Sequence, residues 1–121
     1  MDEPWLVHHE INYIEITVTD MAAAKQFYTA AFGWRFTDYG PEYAGIQKGD
    51  GQGESGGLAL AAKPRHGGPL VILYSADLDA SLAGVTAAGG AITTPPFEFP
   101  GGRRFHFADP SGNELAVWAK R

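Results

Sequence analysis

The sequence contains no cysteine. Disulfides, thiol catalysis and cysteine-held zinc or iron–sulfur centres are therefore excluded. It is also short of positive charge: 9 Lys and Arg stand against 14 Asp and Glu, giving a formal net charge of -5. No basic run exceeds the pair Arg103-Arg104, so a nucleic-acid partner is not expected. Long apolar runs are missing too. Nothing approaches the ~20 residues of a membrane-spanning helix, so no membrane partner is expected. The start, Met1-Asp2-Glu3-Pro4-Trp5, is acidic and has no apolar core, unlike a signal peptide. A cytoplasmic location is the expectation. There is no Gly-x-Ser-x-Gly elbow for a serine hydrolase. The glycine-rich stretch from Gly49 to Gly57 lacks the Gly-Lys of a phosphate loop and precedes no helix.

What remains has globular composition: 121 residues, 45% hydrophobic and 19% charged, enough for one domain of ordinary size. Ile11 to Val18 alternates as a strand does, with Ile14, Ile16 and Val18 on one face and Tyr13, Glu15 and Thr17 on the other. Asp20 is placed to cap a helix over Met21 to Phe32, and Gly33 to end it. The helix alanines, Phe27 and Phe32 read as packing residues. Trp34 to Phe36 reads as extended, Tyr43 to Gln47 as a short strand, Lys48 to Gly57 as a flexible hairpin loop and Gly57 to Ala62 as a weak strand. Lys63 to Pro69 reads as a linker.

The second half repeats this plan. Leu70 to Ser75 is an apolar strand, Asp77 a capping residue, and Leu78 to Ala88 a helix ended by Gly89-Gly90. Ala91 to Thr94 reads as a strand stopped by Pro95-Pro96. Arg103 to Ala108 and Glu114 to Ala119 flank Asp109-Pro110-Ser111-Gly112-Asn113, a strong turn sequence. At an offset of 57, Asp20 falls on Asp77, Met21 on Leu78 and Gly33 on Gly90. Such self-similarity predicts two tandem copies of one supersecondary unit. Each is too small to bury a good core alone. The expected fold class is therefore α+β, one domain over residues 1–121, with module one at about 9–62, a linker at 63–69 and module two at about 70–121.

The stretch Val18-Thr19-Asp20-Met21, then Phe27-Tyr28 and Phe32-Gly33-Trp34, resembles the opening strand–helix signature of vicinal oxygen chelate proteins, the glyoxalase/bleomycin-resistance/dioxygenase superfamily. Phe107 to Leu115 resembles their closing hairpin. The resemblance covers about Ile11 to Trp118. It implies two βαβββ modules forming a cupped, mostly antiparallel sheet with helices outside, and a homodimer. It does not fix function, since the superfamily includes metalloenzymes and antibiotic-sequestering proteins.

The resemblance also says where a divalent ion would be held. Its four ligand positions fall on Tyr13, Leu70, Ala116 and Ala59 or Ala61. Leu70 and Ala116 carry no donor, so no cofactor is expected at the usual place. A rebuilt site from Glu15, His106 and Glu114, with His9 as a further donor, is the metal-bearing alternative. The leading expectation is a small-molecule-binding protein for an aromatic or amphipathic ligand lined by Tyr13, Glu15, Tyr74, His106, Glu114 and Trp118. One alternative is a lyase, isomerase or dioxygenase-like enzyme with a relocated metal, or with Glu15 as a metal-free catalytic base. Another is a structural or regulatory domain without a ligand. Of Arg103 and Arg104, one must face away from any ligand, because strand side chains alternate.

Overall fold

The computed structural model describes residues 3–121. The chain runs β1 (Ile11–Val18), α1 (Met21–Phe32), β2 (Phe36–Asp38), β3 (Tyr43–Gln47), β4 (Glu54–Leu60), β5 (Leu70–Tyr74), α2 (Leu78–Ala87), β6 (Ala91–Phe99), β7 (Gly102–Ala108) and β8 (Glu114–Ala119). This is the α+β, twice-repeated βαβββ arrangement. No helix among the described residues is long and apolar enough to cross a membrane. Two compact units are distinguished: Tyr13–Pro69, and Leu70–Arg121 together with the N-terminal segment through Asn12.

In the Tyr13–Pro69 unit the strand order is β2-β3-β4-β1. β2 and β4 flank β3 antiparallel, and β1 joins β4 in parallel, with Glu15 opposite Gly57 and Ile16 opposite Leu58. In the other unit the order is β6-β7-β8-β5, again with two antiparallel pairings and one parallel pairing, Ile72 opposite Ala116 and Tyr74 opposite Trp118. The two orders are the same when β1 is matched to β5. The repeat read from the capping residues is thus a repeat of hydrogen-bond topology.

Both caps form. The Asp20 carboxylate accepts from the Ala23 N–H at 3.0 Å and the Asp77 carboxylate from the Ala80 N–H at 3.1 Å. Gly33 ends α1 in the left-handed region at φ 73°, which costs a glycine nothing. The closing hairpin is held by Asp109, whose carboxylate accepts from the Ser111 and Asn113 N–H groups and from the Asn113 side-chain amide, all at 2.9 Å. The bonds from Asn113 hold the Asp109 carboxyl below the usual carboxylate range.

The two helices pack unequally. Leu78 of α2 lies at 4% exposure in a core with Phe105, Val117 and Ala119, and Leu82 and Val85 pack against it. Helix α1 buries no residue. Phe27 and Phe32, read from the sequence as packing residues, are 58% and 64% exposed. They form an aromatic cluster with Tyr28 and Trp34, in which Trp34 stacks on Tyr28 at 4.7 Å.

Several boundaries differ from expectation. β6 does not stop at Pro95-Pro96 but runs on to Phe99. Its register shifts between Thr94 and Phe97, so the prolines occupy a bulge on an edge strand. That is where missing N–H donors are tolerated. The glycine-rich segment is not loop throughout, since β4 begins at Glu54. Gly56 is needed there because a Cβ would fall 1.9 Å from the Ile14 carbonyl oxygen. Trp34 turns back onto the helix, and β2 starts two residues later.

Candidate functional site

Alternation along β1 puts Tyr13, Glu15 and Thr17 on the face of their sheet opposite to Ile14 and Ile16. Register carries that face to Gly57 and Ala59 on β4 and to Tyr43 and Gly45 on β3. The side chains form a directed chain. The Tyr43 hydroxyl donates to Glu15 Oε2 at 3.1 Å, and its oxygen lies 2.7 Å from the Tyr13 hydroxyl. With its own proton on Glu15, Tyr43 accepts from Tyr13. Farther along, the Tyr39 hydroxyl donates to Glu54 Oε2 at 2.5 Å.

Two glycines floor this arrangement. A Cβ at residue 57 would fall 2.1 Å from the Tyr43 hydroxyl oxygen and 2.7 Å from that of Tyr13. A Cβ at residue 45 would fall 2.1 Å from Glu54 Oε2. The hydroxyls and the Glu54 carboxylate therefore lie flat on backbone. Burial pushes the Tyr13 and Tyr43 phenols well above their ordinary range, and the Glu15 charge beside them adds to this. Tyr39 is pushed up to about 12, chiefly by its bond to Glu54. All three phenols are thus neutral donors at physiological pH. The partly buried Glu15, costly on a strand unless partnered, has Tyr43 as a hydrogen-bond donor.

In the other unit, one face of β5-β8-β7-β6 collects Tyr74, Trp118, Arg104, Phe97 and Phe99. Tyr74 meets Trp118 edge-on at 5.1 Å, and the Trp118 indole N–H donates to the Asn12 side chain at 3.0 Å. The Arg104 guanidinium lies 5.3 Å from the Phe97 ring centre and 5.9 Å from that of Phe99, within cation–π range. His106 lies beside Phe97, and its Nδ1 is 3.2 Å from Glu114 Oε2, which also accepts from the Thr93 hydroxyl at 3.1 Å. Arg103 points the other way, to Asp79 of α2 at 3.4 Å. Of the two arginines, Arg104 is therefore the one that shares a face with Trp118.

The structure thus groups the expected residues as Tyr13 with Glu15 in one unit, and as Tyr74 with Trp118 and His106 with Glu114 in the other. In the sequence Tyr43 reads only as the start of a short strand, whereas it is the centre of the hydroxyl chain. The missed signal was its partner geometry: Tyr43 stands diagonal to Gly57, and only glycine there admits the phenol. Glu54 lies in the stretch expected as loop, and nothing in the local pattern singles out Tyr39. His9 is committed elsewhere, its Nε2 lying 2.9 Å from the Ser81 hydroxyl on α2.

At the positions where the resemblance implies ion ligands, the side chains are mostly hydrocarbon. Leu70 and Ala116 are 1% and 0% exposed and carry no donor, Ala59 and Ala61 have none either, and the Tyr13 phenol keeps its proton, which it donates to Tyr43. Donor number and convergence are what a metal site requires. Among the described residues, no three of His, Asp and Glu stand together as a cation site.

The sequence matches the Glyoxalase/Bleomycin resistance protein/Dioxygenase superfamily over residues 10–117. The chain belongs to this superfamily. Among its relatives, the anthracycline biosynthesis protein DauV of Streptomyces sp. strain C5 is 34% identical, over 89% of this chain and 46% of its own length. CFP32 of Mycobacterium tuberculosis, named as a candidate glyoxylase, is 31% identical over 88% and 44%. The chain thus spans less than half the length of these relatives. A protein of Mycolicibacterium smegmatis without a described function is 30% identical over 92% of this chain and 94% of its own. Among solved structures, the Mn(II)-bound glyoxalase of Novosphingobium aromaticivorans matches with TM-score 0.69 and 28% identity, over 93% of this chain and 39% of that one. A methylmalonyl-CoA epimerase of Mycobacterium tuberculosis matches with TM-score 0.70 over 100% and 93%, but at 16% identity the likeness is one of fold alone.

Proposed function

We propose that this superfamily member is a small-molecule-binding domain that works without a divalent ion at the usual position. The Tyr13–Tyr43–Glu15 chain carries the reading. It presents neutral phenol rings, apolar in body and polar at the tip, next to a carboxylate that accepts hydrogen bonds. That combination suits a planar aromatic ligand bearing hydroxyl or amino donors. The 34% identity to a protein named for anthracycline biosynthesis points to the same class of compound. Leu70 and Ala116 support the metal-independent part, because they replace donors with buried hydrocarbon.

A thermal-shift screen tests this. Hydroxylated and aminated polycyclic aromatics should raise the melting temperature of metal-stripped protein, since a ligand that binds only the native state stabilises it. A stoichiometric divalent metal in the protein as purified, found by elemental analysis, would count against it.

The hydroxyl chain also favours a second reading, in which Glu15, held by the Tyr43 hydroxyl, acts as a general base toward a bound substrate. Turnover of a bound carbonyl compound that carries an acidic C–H, with loss of activity in Glu15→Gln but retained binding, would distinguish catalysis from simple sequestration.

A further inference from the structure

We infer a second binding site, for a small amphipathic carboxylate, on the opposite side of the Tyr13–Pro69 sheet, between that sheet and the end of α1. A cavity of about 580 Å³ opens there, walled by Ile14, Ile16, Ile46, Phe32 and Trp34, with Arg35 and Lys48 in its lining. That size lies within the range of small-molecule sites.

The duplication explains why the space is open. Matching the two units by hydrogen-bond register, Ile14 and Ile16 correspond to Val71 and Leu73, Gly56 to Leu115, Ile46 to Phe107, and Ala44 to Phe105. At the offset of 57, Lys25 corresponds to Leu82 and Arg35 to Ile92. Phe105, Phe107, Leu82 and Ile92 fill the helix–sheet layer of the other unit. In this unit Leu115 becomes Gly and Phe105 becomes Ala, while Leu82 becomes a lysine drawn off to Asp38 at 2.6 Å. Side chains in one interior are thus replaced by small or charged ones in the other, and packing at normal density fails. The absence of any buried residue on α1 follows from the same replacements.

Charge selects the ligand. The cavity lining holds two cations and no carboxylate. Among the described residues neither Arg35 nor Lys48 has a side-chain hydrogen-bond or ion-pair partner. Near the end of α1 the carbonyls of Thr29 and Tyr28 accept from the Gly33 and Trp34 N–H groups, which neutralises the negative end of the helix only in part, so the two cations must outweigh it to hold an anion. An apolar wall with an unpaired guanidinium and ammonium fits a single short hydrocarbon chain or ring ending in a carboxylate.

Calorimetric titration with sodium octanoate, octylammonium chloride and octanol tests this. Octanoate should bind saturably at one site per chain and octylammonium should not. The double variant Arg35→Gln/Lys48→Gln, altered only at solvent-accessible groups, should weaken octanoate about tenfold or more. Ile14→Trp, which fills the cavity from a partly exposed position, should abolish binding with the far-ultraviolet spectrum unchanged. Glu15→Gln, on the other face, should leave octanoate binding intact, so failure here is separable from failure of the aromatic site. Equal binding of octanoate and octylammonium, undiminished binding by the double variant or by Ile14→Trp, or no saturable binding would each overturn the inference. So would a dimer that Ile14→Trp dissociates and octanoate does not, because a second copy would then fill the groove.

Discussion

The Tyr43 hydroxyl rests on Gly57 so closely that a Cβ there would fall 2.1 Å from its oxygen. Gly57→Ala must therefore displace Tyr43, and with it the bond to Glu15. Overpacking of this kind costs about 1–3 kcal/mol. Gly84→Ala provides the contrast. It lies inside α2 with nothing within 4 Å of its Cβ position. It should stabilise by about 0.5–1 kcal/mol, because alanine loses less backbone entropy in a helix. Urea unfolding of both variants checks the pair.

Alkaline titration should separate the folded from the unfolded chain. Tyr13, Tyr39 and Tyr43, three of the five tyrosines, have phenols raised above their unfolded value of 10.0, Tyr39 to about 12 and the other two farther. The native state then holds more protons than the unfolded state above pH 10. Stability from these groups is fully present below that pH and is lost as pH rises through the raised values. Tyrosinate absorbance near pH 11 should be clearly smaller in native protein than in urea, with the remaining signal appearing as the fold opens. Tyr43→Phe should reduce that late signal.

The unequal packing of the helices gives a stability contrast. Phe105 is fully buried, so Phe105→Ala should cost about 3–5 kcal/mol. Phe27→Ala and Phe32→Ala remove side chains more than half exposed and should cost under about 1 kcal/mol. Denaturant midpoints compared at constant slope would show this.

Much of the fold was legible because its signals are local. The alternation from Ile11 to Val18, the carboxylates of Asp20 and Asp77 and the left-handed Gly33 fixed β1 and both helices, and the 57-residue offset revealed the repeat. Signals that depend on pairing were not legible. Pro95-Pro96 reads as a stop in one strand and becomes tolerable only once β6 is known to be an edge with a bulge. Gly56 and Gly57 read as flexibility, yet they serve close approach to Ile14 and to the tyrosines. Phe27 and Phe32 carry the helical spacing of core residues, but the surface that would bury them has been pared away at Ala44 and Gly56. For the site, period-two alternation placed Glu15 beside Tyr13. Tyr43 joined them through the cross-strand register of β3 and β4, which no single strand contains.

The most direct test is a fluorescence titration of an anthracycline, a planar aromatic with hydroxyl and amino donors, into protein kept in excess EDTA. Saturable one-to-one binding is expected, unchanged when Mn(II) or Zn(II) replaces the chelator, and weakened about tenfold or more in Glu15→Gln and in Tyr43→Phe. Binding that appears only with added metal, or that survives both substitutions undiminished, would contradict a metal-independent site built on Tyr13, Tyr43 and Glu15.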